Sequence, residues 1–343
     1  MTAFQPNYPP IRLALIGAGI FAAEAHVPAL QKLQDSFEIA AIYSRSQASA
    51  TKLAAQLPYQ VDTYTDLSAV LARADLEAVN ILLPIEVMPG VVELALQAGK
   101  HVISEKPIAP DVATGRRLLE TYRRYPEQVW MVAENWRYEA IFEQAAEVLS
   151  QGQIGRPWLC YWAMHTPITP DNKYYHTGWR RSGGVPGGFV LDAGVHHMAV
   201  LRLLLGEIAE VSAIKAQIRP DLPPTDTLSA TLRFENGVIG TYLASYATQA
   251  PWPPALHIVG DLGSLRIQRH VLEVTRQGTT RNIPIDDHQG VEAELAGFAA
   301  AVRAGQIHRN TPQQALQDVA VIEAMLRSAE TGERVTPERI VGK

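Results

Sequence analysis

IRLALIGAGIFA, from Ile11 to Ala22, sets a short apolar run against a glycine-rich turn. A run of this length bounded by glycine fits a strand buried on both faces. Gly17, Gly19 and Ala22 then fall at the G-x-G-x-x-A spacing. The first glycine permits a tight turn, the second lets a pyrophosphate approach the backbone, and the third position must be small for helix and strand to pack. A helical stretch through about Leu33 follows, and a helix N-terminus favours anions. Alone, the spacing describes only a tight turn. Its place between a strand and a helix makes it a candidate dinucleotide-binding turn, with Ile20 and Phe21 inside the loop as further contacts.

Downstream, the pattern repeats. Glu38 to Tyr43 reads as a second buried strand, Gln47 to Leu57 as a helix, and Leu76 to Leu83 as a strand ending at Pro84. A helix over Pro89 to Gln97, closed by Gly99, precedes strands at His101–Ser104 and Val129–Ala133. Strands alternating with helices predict a doubly wound parallel sheet, an α/β Rossmann arrangement. After about Asn135 the texture changes. Tyr138 to Ser150 is an amphipathic helix, and longer segments from Pro157 show period-2 alternation, as at Leu228, Ala230, Leu232 and Phe234. Asn236-Gly237 supplies a hairpin turn before Val238 to Tyr246, and Asp261-Leu262-Gly263 joins Leu256–Val259 to Ser264–Gln268. This predicts a large, mainly antiparallel sheet with one open face. Helices at about 291–303 and 312–329 follow, the second with Thr311 as N-cap and Pro312 at its first position. The expected division is 1–135, with 1–10 as a loose N-terminal tail, and 136–343.

The chain has 343 residues, enough for two domains, with 47% hydrophobic and 19% charged residues. Its 30 Lys and Arg against 35 Asp and Glu give a net charge of −5. That balance excludes a strong basic excess for nucleic acid and gives no polybasic membrane anchor. No apolar run approaches the roughly 20 residues of a membrane-spanning helix. The N-terminal residues lack a secretory pattern, and the single cysteine, Cys160, can form neither an internal disulfide nor a Cys-x-x-Cys pair. A cytoplasmic protein is expected. Metal binding is disfavoured, since Asp192, His196 and His197 have no second cluster at metal spacing.

Three places carry candidate chemistry. At the tip of the second strand, where an NAD protein usually has Asp or Glu, stand Ser44-Arg45-Ser46. A carboxylate there would repel a 2′-phosphate, whereas a hydroxyl tolerates it and a guanidinium grips it, so NADP (NADPH) is expected over NAD. A solvated surface arginine is the plainer alternative. Glu105-Lys106-Pro107 sits at the carboxyl end of a strand, where ligands bind in open parallel sheets; a surface lysine in a turn is the alternative there. If Phe189 to Leu205 is helical, Asp192 and His196 share one face, and Gly194 between them would allow close approach by a ligand. His197 is turned by roughly 100° from His196, so His196 is the candidate.

The chain resembles the glucose–fructose oxidoreductase / inositol dehydrogenase / MocA family. The resemblance rests on Gly17-Ala18-Gly19-Ile20-Phe21-Ala22 with His26, on Ala98-Gly99-Lys100-His101-Val102 leading to Glu105-Lys106-Pro107, and on the glycine-rich Asp192…His196 helix. Gly152-Gln153-Ile154-Gly155, Gly178-Trp179-Arg180 and Val259-Gly260-Asp261-Leu262-Gly263-Ser264 extend it. It implies a Rossmann domain joined to an α/β domain whose sheet commonly forms a homodimer or homotetramer interface. It also implies Lys106 as catalytic lysine, often before a cis proline bond, with Asp192 and His196 completing the set. Leu83 and Pro84, with Glu105 and Lys106, would line the cofactor. Departures from the family are Leu83-Pro84-Ile85-Glu86-Val87-Met88 in place of Thr-Pro-Asn-x-x-His, and Ala199 where an Asp frequently stands.

Hydride transfer at an alcohol carbon needs a proton to leave or enter the oxygen. A histidine with an ordinary pKa near roughly 6.5 suits that relay, and a lysine cation can polarise the oxygen; the two roles could exchange. Trp136, Tyr161, Trp179 and Arg180, with His196, are expected beside a carbohydrate-like substrate, although ordinary core or interface packing explains any single aromatic as well. The expected activity is an NADP-dependent oxidoreductase on a sugar, polyol or related carbonyl. The alternatives are a same-fold enzyme acting on an imine or cyclic diol, and a non-catalytic NADP-binding sensor.

Overall fold

The computed structural model describes residues 8–249, 254–285 and 289–342. The expected loose tail lies, at residues 1–7, outside the described residues. The first sheet contains β1 (Ile11–Ile16), β2 (Phe37–Tyr43), β3 (Asp62–Tyr64), β4 (Ala78–Ile81), β5 (His101–Glu105) and β6 (Trp130–Ala133). All pairs are parallel, in the order β3-β2-β1-β4-β5-β6. The order reverses between β1 and β4, which makes their carboxyl ends the switch point of a doubly wound sheet. Along β1 only Arg12 is partly exposed, as a strand covered on both faces requires. β4 is shorter than the run Leu76–Leu83 suggests. β3 carries too little apolar signal to stand out in the sequence.

One face of this sheet is covered partly from far along the chain. Helix Gly290–Ala304 turns Leu295, Phe298 and Ala299 into the core formed by Ile11, Leu13, Leu15, Phe37 and Ile39. Phe298 stacks on Phe37 at 6.4 Å between ring centres, with the rings 6° from coplanar. Burying such a side chain stabilises by about 1.5–3 kcal/mol. The contacts accordingly group Gly290–Pro312 with Met1–Ala109 and Ala113–Asn135, while Pro110–Val112, Trp136–Gln289 and Gln313–Lys343 form the second unit. A single cut at 135 omits this return, because an amphipathic helix does not announce which sheet its apolar face will cover.

The second unit holds a sheet of β7 (Pro157–His165), β8 (Ile208–Ala216), β9 (Thr227–Phe234), β10 (Ile239–Ser245), β11 (Leu256–Gly260), β12 (Gly263–Ile267), β13 (Val271–Arg276) and β14 (Thr279–Pro284). The order is β14-β13-β12-β11-β7-β10-β9-β8. β7 and β10 run parallel, and the other neighbours run antiparallel. β9 buries Leu228, Ala230, Leu232 and Phe234 and exposes Ser229, Thr231 and Arg233, so one face is core and the other open. Phe234 N–H bonds Val238 O at 2.9 Å, closing a loop of Glu235-Asn236-Gly237 with Gly237 at φ +90°.

Helix Phe189–Leu205 packs on β9 and β10 and is buried along most of its length. Gly194 meets another helix: a Cβ there would lie 2.8 Å from Ile322 Cδ1 of Pro312–Thr331. Its small size therefore serves helix–helix packing, which replaces the ligand approach expected from the sequence.

Candidate active site

The first unit assembles its site at the switch point. Gly17 has φ +120°, and a Cβ on it would stand 2.3 Å from Leu82 O and 3.3 Å from Leu83 Cδ2. The β1 turn and the end of β4 are therefore in contact, and Leu83 borders the glycine turn, followed by Pro84. At Gly19 no atom of the described residues beyond its chain neighbours lies within 4 Å of the corresponding position. Residues 20–32 are helical, with a wider π-type turn over Ala22–His26. An open backbone at Gly19 before a helix N-terminus fits the pyrophosphate of a dinucleotide. Ile20, Phe21 and Ala22 form the first part of that helix.

At the tip of β2, Ser46 caps helix Gln47–Ala54, its Oγ accepting the Ser49 N–H at 3.3 Å. Ser44 Oγ accepts the Ser46 N–H at 3.3 Å. These local bonds give both serines a structural part. Arg45 is exposed and makes no hydrogen bond or ion pair among the described residues. At the end of β5, Glu105 leads into Lys106, and the Lys106–Pro107 peptide bond is cis.

The second unit holds the other candidates. Arg180 Nε donates to Asp192 Oδ2 at 2.7 Å, and its Nη1 donates to Thr177 Oγ1 at 3.2 Å. The guanidinium lies over the Trp179 ring at 4.1 Å and over Tyr174 at 5.0 Å. Asp192 is 7% exposed, so this pair is largely shielded from water. One turn further along the helix, His196 stacks on Trp136, with ring centres 5.0 Å apart and 14° between planes. Trp136 sits in the turn Asn135–Tyr138, which is anchored by buried Arg137 donating to Asp318 at 2.8 Å.

The two adjacent histidines differ. His197 is buried, and its Nδ1 lies 2.6 Å from Tyr242 Oη. Its ring packs against Trp162 at 5.1 Å and Trp136 at 5.4 Å. His196 is only partly buried. His197 is thus a core histidine with a hydroxyl partner, as the 100° offset on the helix anticipates.

Tyr161 is placed away from this cluster. Along β7, Cys160, Trp162 and Met164 are buried, while Tyr161 is exposed on the opposite, open face and stacks on His257 at 4.3 Å. The residue that meets Trp136 from β7 is Trp162, at 6.2 Å. Period-2 alternation could have found it, since Trp162 shares parity with buried Cys160. Burial pushes the Cys160 thiol up to about 12, which keeps it protonated and unreactive at neutral pH. Among the described residues no group of three His, Cys, Asp or Glu side chains is placed to hold a metal ion. No helix among them is long and apolar enough to cross a membrane.

Comparison with known proteins agrees with both units. Residues 11–133 match the oxidoreductase family with an NAD-binding Rossmann fold, and residues 142–266 match the GFO/IDH/MocA C-terminal domain. The chain belongs to the Gfo/Idh/MocA family of oxidoreductases. It is 34% identical to Dehydrogenase FPY6 of Fusarium mangiferae, over 93% of this chain and 96% of that protein. The crystal structure of an oxidoreductase, TM0312, from Thermotoga maritima superposes with a TM-score of 0.90 at 35% identity, covering 95% of this chain and 98% of the other. More distant is a D-xylose 1-dehydrogenase [NADP(+)] of Haloarcula marismortui, 24% identical over 94% of this chain and 92% of its own.

Proposed function

We propose that the protein is an NADP(H)-dependent oxidoreductase acting on a CH–OH or carbonyl group of a sugar, polyol or related compound. The observation that carries the reading is the glycine turn at the switch point, with Leu82 and Leu83 against it and Glu105-Lys106-Pro107 closing β5. When bound, the nicotinamide supplies or accepts the hydride. Gly17 to Ala22 hold the pyrophosphate through backbone N–H groups, with Leu83, Pro84 and Glu105 lining the cofactor. Arg45 grips the 2′-phosphate, and Ser44 leaves room for it, as no carboxylate could. The NADP-dependent D-xylose dehydrogenase among the relatives supports both the cofactor and the sugar class.

Lys106 polarises the reacting oxygen as a cation. His196 gives or takes its proton, with its ring held flat by Trp136. Asp192, fixed by Arg180, supplies the compensating negative charge. Trp136, Trp179 and Arg180 present aromatic faces and a donor of the kind that suits the C–H faces and hydroxyls of a sugar. The open sheet face carries Ile214, Ile239 and Tyr161, which are 78%, 52% and 46% exposed. A second copy of the chain covers it in a homo-oligomer. The protein works in the cytoplasm.

The test is fluorescence titration with NADPH and NADH, followed by a turnover screen on aldoses, polyols and aldehydes. NADPH is expected to bind more tightly. Arg45→Ala should weaken NADPH by about 5–30-fold, the loss of one charge-assisted contact of about 1–2 kcal/mol, and leave NADH unchanged. Ser44→Asp should weaken NADPH and relatively favour NADH. Equal binding of both cofactors in all three proteins rejects the NADP assignment. Turnover unaffected by Lys106→Ala rejects the role of the lysine.

A further inference from the structure

His26 is completely buried in the first unit and makes three separate contacts. Its Nε2 lies 3.0 Å from Glu105 Oε1, at the end of β5. Its Nδ1 lies 2.8 Å from Asn80 Nδ2, inside β4. The Phe21 ring, from the turn that opens the helix, meets it edge to face at 5.2 Å. The π-type turn Ala22–His26, in which Val27 N–H reaches back to Ala22 O, brings the imidazole to this junction. Such turns often mark functional positions.

The hydrogen-bond pattern is directional. With the Asn80 amide oriented to donate to Nδ1, the compatible neutral tautomer carries its proton on Nε2 and donates it to the Glu105 carboxylate. Asn80 Oδ1 is buried with no hydrogen-bond partner among the described residues. A buried orphan oxygen is unfavourable. That cost is borne with the amide donor at Nδ1, an arrangement that fits the tautomer whose Nε2–H points at Glu105. Lys106 is the next residue, joined to Pro107 by the cis bond.

We propose that His26 is a positioning residue for Lys106. It clamps the Glu105 carboxylate and thereby the backbone that delivers the lysine, and through Phe21 and its own helix it joins that lysine to the pyrophosphate turn. The role deepens the reading of Lys106 given under Proposed function and rests on it.

Two amides of different length separate this role from simple core filling. In His26→Gln the side-chain N–H₂ still reaches Glu105, while His26→Asn is one methylene shorter and does not. The probe is trinitrobenzenesulfonate labelling of the full-length protein, with Lys106 modification followed by peptide mass spectrometry and folding checked by thermal melting. Labelling of Lys106 is expected to rise severalfold in His26→Asn and to return towards wild type in His26→Gln. Glu105→Gln, which keeps the shape and loses the charge, is expected to raise labelling as well, and it decides the matter should His26→Asn fail to fold. In [15N]histidine spectra of the wild type, Nε2 should carry the proton and Nδ1 should not. Unchanged labelling in folded His26→Asn, equal behaviour of the Asn and Gln variants, no change in Glu105→Gln, or the opposite tautomer each overturns the proposal. Protection of wild-type Lys106 by NADPH is a separate arm. Its absence refutes the placing of Lys106 at the cofactor, while the variants still decide whether His26 positions the lysine.

Discussion

Replacing Gly17 by alanine asks whether the β1 turn and the end of β4 touch as closely as described. The new methyl would stand 2.3 Å from Leu82 O and 3.0 Å from Leu82 C, far inside normal contact, with the backbone at φ +120°. Leu82 is poorly able to retreat, because its N–H bonds Ile16 O at 2.8 Å. A left-handed backbone costs an alanine about 1–2 kcal/mol, and overpacking adds about 1–3 kcal/mol. A loss of about 2–5 kcal/mol should lower the melting temperature by roughly 3–7 °C in a protein of this size. Gly19→Ala is the matched control, since among the described residues its methyl meets nothing beyond its chain neighbours within 4 Å. Its stability should stay within about 0.5 kcal/mol of wild type, while NADPH binding weakens at least about tenfold because the methyl occupies the approach of the pyrophosphate. Differential scanning fluorimetry and NADPH titration read both effects. A Gly17→Ala protein melting within a degree of wild type would refute the close approach of the strands. Undiminished NADPH binding in Gly19→Ala would refute the phosphate assignment.

Arg180→Met removes one cation from largely buried Asp192. With both side chains largely buried, at 16% and 10% exposure, a loss of about 2–4 kcal/mol is expected in urea unfolding; a double variant with Asp192→Asn should lose much less than the sum, and simple additivity would argue against the pair. Burial pushes the His308 imidazole down to about 4. The unfolded chain then takes up a proton near pH 6.5 that the folded chain refuses, so stability is full above that pH and falls as pH drops from 6.5 towards 4, by about 1–3 kcal/mol after allowing for partial exposure. His308→Gln should flatten that stretch of the stability–pH curve, and an unchanged slope would show that other groups cause it. Ile214→Lys combined with Ile239→Lys should lower the mass of the proposed homo-oligomer to that of a monomer in light scattering, and an unaltered mass would reject this face as the interface.

The sequence shows most clearly those features that depend on local chemistry. β1 is legible because residues covered on both sides leave a mostly apolar run, and Gly17 because its turn is one that only glycine tolerates. Asp192 and His196 fall on one helix face by geometry alone, and that same geometry sends His197 into the core against Tyr242. What escaped depends on distant partners. Gly194 looked like a ligand approach because Ile322, its packing partner, comes from another helix. Tyr161 looked like a site residue because aromatic character was weighed without strand parity, which assigns that place to Trp162. Ser46, expected at the cofactor, also caps the helix that follows it, a second part that the residue type alone does not separate from the first. The bond between His26 and Glu105 joins residues with no shared pattern, and only the folding together of a helix and two strands reveals it.

The stacking of Phe298 on Phe37 has a consequence for synthesis of the chain. The six strands of the nucleotide-binding half are made first, yet a wall of its core is contributed by residues that leave the ribosome only after the whole second sheet has been made. A fragment stopping at residue 135 would expose the apolar side of β1 and β2 to water, and in the growing chain that surface must stay shielded until the late helix arrives. A soluble excised version of this half therefore needs residues 290–312 spliced back onto it.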